Sequence, residues 1–456
     1  MPAGRRKIVT QVFNAIDDLQ PRLRAVEELQ DQFIYNSENS KNSQNSLKDQ
    51  IREQLESLRS DATLYYADCL DKQLGDVERW SNEIKPFHWI IEFPKVIRKG
   101  GFDVIVGNPP YISRKAFGSG VADVVGFRTK GFADFYEVCF ERALQLLADT
   151  GRLSFIVMLS ISFSKDFSEI RKIISERQSF EAWSTYAHRP DGLFTGPGVK
   201  NTIVTLGPGR AQTVATQHNV FTKQSRKWLF EGLDFYSIDR SGSASPLRGG
   251  IANGALTSIV SNVKPLGTGG DEISLSPTAL YWFPVLPFVP PRLGKKSEII
   301  EIRSAGAVNL ELGHNEDKKV VVSALAGKLS FAIWHSTADN FHVAVKDARY
   351  VRSLLLDISA DDELEALSQQ LLKNIDQYLI QTLYSGKLLI NARWLDAREY
   401  TDPIDRRILE LSGLAGEWRS LNIWYRKVIP NGLETSGNSN PISGESHSRL
   451  RELDLV

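Results

Sequence analysis

The chain has 456 residues, enough for two or three domains, and its 55 basic and 55 acidic side chains cancel, so net charge argues neither for nor against a polyanionic partner. With 42% hydrophobic and 24% charged residues the composition is that of an ordinary soluble globular protein, and two cysteines, Cys69 and Cys139, exclude a disulfide scaffold and fit thiols kept reduced in the cytoplasm. No apolar run approaches the ~18 residues of a membrane span, and the start, MPAGRRKIVTQVFNAIDDL, lacks the apolar core of a secretory signal.

Residues 5–34 carry Ile8, Val12, Phe13, Ile16, Leu19, Leu23, Val26 and Leu29 at helical spacing, which predicts a helix with Pro21 as its point of interruption. NSENSKNSQNS, residues 36–46, has nothing to bury and reads as an exposed linker. LKDQIREQLESLRSDATLYYADCLDKQL predicts a second helix with mixed-sign charges on its outer face. Residues 1–100 are therefore expected to form a helical arm. Within it, His88 and Trp89 read as packing residues ahead of the next segment.

Between residues 101 and 207 the pattern alternates. Phe102 to Val106 reads as a strand buried on both faces, FADFYEVCFERALQLLA as an amphipathic helix, and GRLSFIVML as a strand opened by a turn at Gly151. DFSEIRKIISER predicts a helix, and FEAWSTYA and NTIVTLG two more strands. Strand and helix in alternation predict an α/β fold with a largely parallel, doubly wound sheet. Four strands are fewer than a free-standing sheet of this class usually has. The loop around His188, Arg189 and Asp191 reads as solvated, since no nucleophile motif accompanies it.

Residues 208–430 are interrupted by Gly, Pro and Ser clusters and read as a second, α+β domain. The Lys/Arg positions of PPRLGKK and WYRK are candidates for phosphate contacts. DDELEALSQQLLKNIDQYLIQTLYSG predicts one long helix with Leu364, Leu367, Leu371, Ile375 and Leu379 on one face, and residues 431–456 read as a disordered tail.

The stretch with the most chemistry is GGFDVIVGNPPYISRKAF, residues 100–117. A strand runs into Asn108, Pro109, Pro110 and Tyr111, where two prolines fix the backbone and remove two amide hydrogens. The amide oxygen of Asn108 and the main-chain carbonyl of Pro109 are then free to accept the two N–H groups of an aromatic amine, and Tyr111 offers a face for a purine to stack on. No ionisable base stands in the loop, and no spacing suggests a metal site.

NPPY after an FDVIVG strand resembles the catalytic motif of the amino-group methyltransferases, above all the N6-adenine DNA methyltransferases. The approach KPFHWIIEFPKVIRKGGFDVIVGNPPY, residues 85–111, is similar to that of type IIG restriction-modification enzymes and of the large methyltransferases of BREX-type phage-defence systems. Residues 326–351, AGKLSFAIWHSTADNFHVAVKDARYV, resemble a segment of their target-recognition domain. The resemblance implies a partial Rossmann-like, S-adenosylmethionine-dependent methyltransferase sheet over residues 101–207, a target-recognition domain over 208–430, and double-stranded DNA as substrate, with the target base turned out of the helix. It assigns catalysis to Asn108, Pro109, Pro110 and Tyr111, a second stacking ring to Phe194, and a place near the cofactor to Asp134, which could equally cap the helix it opens. Such enzymes begin with a strand and a Gly-rich turn that cradle the cofactor, and residues 1–100 contain neither. A second polypeptide supplying that half, or a truncated and inactive product, are the two expectations that follow.

Overall fold

The computed structural model describes residues 3–35, 41–69, 74–116, 127–238, 258–429 and 439–456, except residues 189, 197, 261, 280, 305–306 and 359. Two compact units divide the chain, one of residues 1–105 with 144–151 and one of residues 106–143 with 152–456.

The first unit is mostly helical, with α1 (Ala3–Tyr35), α2 (Lys41–Cys69), α3 (Leu74–Ile84), α4 (Trp89–Glu92) and α5 (Pro94–Arg98). Contrary to expectation, α1 runs through Pro21 without a break. The hydrogen bond that a proline forfeits is offset by burial of Leu23 and Val26 against Leu58, Ala62 and Ile91. Residues 41–46, expected in a linker, form the first turns of α2; residues 36–40 lie outside the described residues. Arg59 clasps Glu92 through two hydrogen bonds of 2.7 and 2.8 Å, which joins α2 to α4. His88 is buried, with its ring nitrogen 2.9 Å from the Thr63 hydroxyl.

The main sheet comprises β1 (Phe102–Gly107), β2 (Leu147–Met158), β3 (Phe180–Tyr186), β4 (Asn201–Gly207), β5 (Gln212–Asn219) and β6 (Phe235–Ile238), in the order β1-β2-β4-β3-β5-β6. Helix α6 (Tyr136–Leu146) leads directly into β2, and α7 (Ser168–Glu176) links β2 to β3. The sheet differs from expectation in its pairing, its extent and its edge. The sheet is mixed: β3 and β5 are parallel, but β2–β4, β3–β4 and β5–β6 are antiparallel. The reason is that β3 returns to β4 through a loop with no crossover helix, and a parallel pair needs a crossover. The sheet also continues beyond residue 207, since β5 and β6 belong to it. Finally, β1 is an edge strand, not a buried one: Val104 is 59% and Val106 75% exposed. Gly151 lies within β2 and does not open it; a Cβ there would stand 2.8 Å from the Phe102 carbonyl oxygen, too close for any side chain.

Beyond the main sheet, β7 (Gly269–Leu275), β8 (Val285–Leu286) and β11 (Val308–Gly313) form a three-stranded sheet, and β9 (Arg292–Gly294), β10 (Ile299–Glu301), β12 (Leu379–Tyr384), β13 (Lys387–Ala392) and β14 (Ser439–Pro441) a five-stranded one. Helices α8 (Lys318–Leu325), α9 (Lys328–Thr337), α10 (Val345–Leu355), α11 (Asp362–Lys373), α12 (Arg398–Leu411), α13 (Trp418–Val428) and α14 (Gly444–Glu452) complete the unit. Their shared core is aromatic, with Phe283, Phe331, Trp334, Trp394 and Trp424 all buried. The long helix expected from residue 361 ends at Lys373; after a short 3₁₀ turn the chain becomes strand β12. Ser385 and Gly386, at φ 49° and 78°, turn it back tightly into β13. Nor is the carboxyl end a disordered tail: β14 pairs with β12, and Leu450 of α14 is fully buried. Residues 430–438 lie outside the described residues.

Candidate active site

Strand β1 ends at Gly107, where a Cβ would stand 2.9 Å from the Phe155 ring of β2, so only glycine lets the chain leave the sheet at this point. The next residues divide by exposure: Asn108 and Pro110 face solvent, Pro109 is buried, and Tyr111 is half-buried. The Tyr111 hydroxyl donates to the Ile156 carbonyl at 3.0 Å and accepts from the Asn201 amide at 3.2 Å, and its ring meets Tyr136 edge-on at 6.1 Å. Burial pushes the phenol up to about 12, with the Asn201 hydrogen bond opposing, so it stays a neutral donor.

The chain beyond Tyr111 is tied to the start of α6. Ile112 N–H donates to the Asp134 carboxylate at 3.0 Å, Ser113 and Asp134 form an antiparallel bridge, and Phe135 N–H returns a bond to the Ile112 carbonyl at 2.9 Å. Asp134 is buried, which raises its pKa, while N–H groups of Tyr136, Ile112 and Phe135 act against that rise. Its oxygens are thus engaged by the backbone of the loop and of the helix start. Two further buried acids support it. Glu137 accepts from Ala133 N–H at 2.7 Å and Asp134 N–H at 3.3 Å, and burial raises it to about 7. Glu141 accepts from Arg128 N–H, Thr129 N–H and the Thr129 hydroxyl at 2.8–2.9 Å. Three carboxylates on the first turns of one helix therefore fix two loop segments by their amide hydrogens. Sequence reasoning singled out Asp134 alone; the run Asp134, Glu137, Glu141 at helical spacing was the signal for the other two.

Phe194 is half-buried in the loop between β3 and β4. Arg226 pins that loop by donating to the carbonyls of Gly192 and Leu193, each at 2.6 Å, and by pairing with Asp191 at 3.2 Å. Among the described residues no ring contact joins Phe194 to Tyr111; the structure gathers Asn108, Pro109, Pro110, Tyr111 and Asp134, and leaves Phe194 on a separate loop.

Next to this loop system is a cavity of about 700 Å³. It opens at the carboxyl ends of β2 and β3 and is closed on its far side by residues 338–347, between α9 and α10. His188, expected in a solvated loop, lines it and is only half-exposed. Neither Asn108 nor Tyr111 lines it; Tyr136 touches Tyr111 and also stacks on Phe167, a wall residue, at 5.3 Å.

Residues 16–190 match the Eco57I restriction-modification methylase family. Over 151 residues the chain is 28% identical to a Methanocaldococcus jannaschii protein named as a type II restriction enzyme and methyltransferase, a match that covers 33% of this chain and 12% of that protein. The chain thus spans a small part of that relative's length. Among solved structures, the type IIL restriction-modification enzyme MmeI in complex with DNA is similar over 72% of this chain and 55% of its own, at 10% identity and a TM-score of 0.37. A type I methyltransferase subunit from Streptococcus thermophilus is similar over 25% of each chain, at 18% identity and a TM-score of 0.21.

Before β1 the described residues form helices α1–α5, and the Asp134 carboxylate is engaged by main-chain amides. Among the described residues no three His, Cys, Asp or Glu side chains converge as a metal site, and no helix is long and apolar enough to cross a membrane.

Proposed function

We propose that this chain is the base-holding and DNA-recognition portion of an adenine-N6 DNA methyltransferase of a restriction-modification or phage-defence system, and that a second polypeptide supplies the S-adenosylmethionine-binding half. The observation that carries this reading is a solvent-facing Asn108, set between the end of a strand and a buried Pro109, in a loop held on one side by the Tyr111 hydroxyl and on the other by Asp134. Asn108 Oδ1 and the Pro109 carbonyl accept the two N–H groups of the target amine, which draws electron density onto its nitrogen and aims the lone pair outward. Tyr111 stacks on the purine ring, and Phe194, from the loop between β3 and β4, is the candidate for its other face. Residues 107–112 hold no carboxylate, imidazole or amine, which supports an amide-and-carbonyl acceptor pair over a general base.

The test is Asn108→Ala in the complex with its partner, with N6-methyladenine in substrate DNA read by mass spectrometry. Loss of one oriented polar group predicts a fall of about 10²–10³-fold in transfer, with DNA binding within a factor of about two of wild type. A variant that methylates adenine at the wild-type rate refutes the assignment. The run of helices before β1 among the described residues favours one alternative, a DNA-binding component without catalysis. Calorimetry with S-adenosylmethionine decides between them: heat on addition to the chain plus its partner supports the enzyme, and none in either case supports the binder.

A further inference from the structure

The cavity beside the site has features that the amine-holding loop does not use. Its floor is apolar, with Met158, Leu159, Phe163, Phe167 and Val199, and Phe341 stands on its far side. The charged groups around it are largely satisfied already. Asp339 accepts from Phe341 N–H at 2.9 Å and His342 N–H at 2.7 Å, and its second oxygen meets the His342 ring at 2.6 Å. Asp347 accepts from Ala344 N–H at 2.8 Å. The Lys200 ammonium donates to the Asp339 carbonyl and sits 5.6 Å from the centre of the Phe341 ring. Asp166, held by Ser164, and Lys346 on the rim are of opposite sign. An apolar floor with balanced, pre-paired charges suits a flat neutral ring better than an anion.

The turn that carries Phe341 is built for rigidity. Asn340 adopts a left-handed backbone at φ 60°. The Phe341 carbonyl accepts from Ala279 N–H at 2.9 Å, the His342 carbonyl from the Trp334 indole at 3.0 Å, and Val343 N–H donates to Pro277 at 2.9 Å. Yet the Phe341 ring is only half-buried, and the His342 side chain is 70% exposed. The ring meets the His342 ring edge-on at 4.9 Å, and a half-buried ring on so anchored a backbone loses little freedom when something stacks on its accessible part.

We propose that this cavity is a second nucleobase pocket, which takes a base of an unpaired DNA strand against Phe341, separate from the base held at Asn108. The proposal rests on the DNA-acting reading above and adds a contact to it. Lys346, on the rim, reaches the phosphate beside the bound base.

The test is fluorescence anisotropy of a labelled oligodeoxyadenylate of about 20 nucleotides with the full chain and with Phe341→Ala, Phe341→Leu and Phe341→Tyr. Loss of a stacking ring predicts binding weaker by about 5- to 150-fold for the Ala and Leu variants, with near-wild-type binding for Phe341→Tyr. Leu binding as well as Phe would show that only packing matters and would overturn the proposal. So would adenosine monophosphate competing as well as the oligonucleotide, nucleotide for nucleotide, which assigns the pocket to a free nucleotide. Because the readout is binding, an Asn108→Ala variant that still methylates would overturn the catalytic assignment and leave this result standing.

Discussion

Replacement of Glu137 by Gln should remove a pH dependence built into the turn that opens α6. The Glu137 side chain is 1% exposed, and its Oε1 accepts two main-chain N–H bonds that a Gln amide oxygen can also accept. Burial raises this acid from 4.5 to about 7, so the folded state binds the proton more tightly than the unfolded chain. The stability this group contributes is therefore complete below about pH 4.5 and is lost as pH rises to about 7. A shift of about 2.5 pH units (7 − 4.5) corresponds to roughly 3 kcal/mol as an upper bound. The amide in Glu137→Gln carries no such charge, so the stability difference between variant and wild type should move in the variant's favour by up to about 3 kcal/mol between pH 4.5 and 7 and stay constant above. Asp405, also raised to about 7, titrates identically in both proteins and cancels from the difference. Urea unfolding followed by tryptophan fluorescence at closely spaced pH values gives the curve. A flat difference, or one that falls with pH, refutes the assignment of a buried, protonatable carboxyl.

Two further outcomes are expected. Arg352 and Glu316 are 4% and 3% exposed and form a two-pronged pair, one bond measuring 2.8 Å; Arg352→Ala should cost about 3–5 kcal/mol by stranding the carboxylate, and the double change to apolar residues should recover most of it, as read by denaturant unfolding. Tyr111→Phe keeps the ring but removes the hydroxyl that Ile156 and the buried Asn201 share, so about 1–2 kcal/mol of stability should be lost in the same unfolding assay, while methyl transfer falls far less than in Asn108→Ala.

The strands and helices from β1 to β4 could be read from the sequence because each carries either a short apolar run or an amphipathic helical period. Their partners could not, since residue pattern alone does not say whether β4 joins β3 directly or through a crossover. The exposure of β1 has the same origin: Val and Ile dominate it as in a covered strand, but strand order places it at the rim. Leu364, Leu367, Leu371 and Ile375 keep a helical period, and the shift to alternation in Ile380–Tyr384 was masked by Leu379 continuing the face; the Ser385-Gly386 pair was the signal for a hairpin. The turn from Asn108 to Tyr111 was legible as a rigid feature because proline leaves few conformations open. Phe341 was not, because its position depends on Asp339, Pro277, Ala279 and Trp334, three of them distant from it along the chain or on another element.

The pairing of β14 with β12 bears on how the protein should be handled. Ser439, Asn440 and Pro441 lie along Thr382, Gln381 and Ile380, and α14 then seats Leu450 in the interior. Trimming the chain after α13, where its composition invites a shortened version for crystallisation, would bare a fresh sheet rim and leave an oily socket unfilled. Such a fragment should clump during purification, so this segment is better kept in any shortened version.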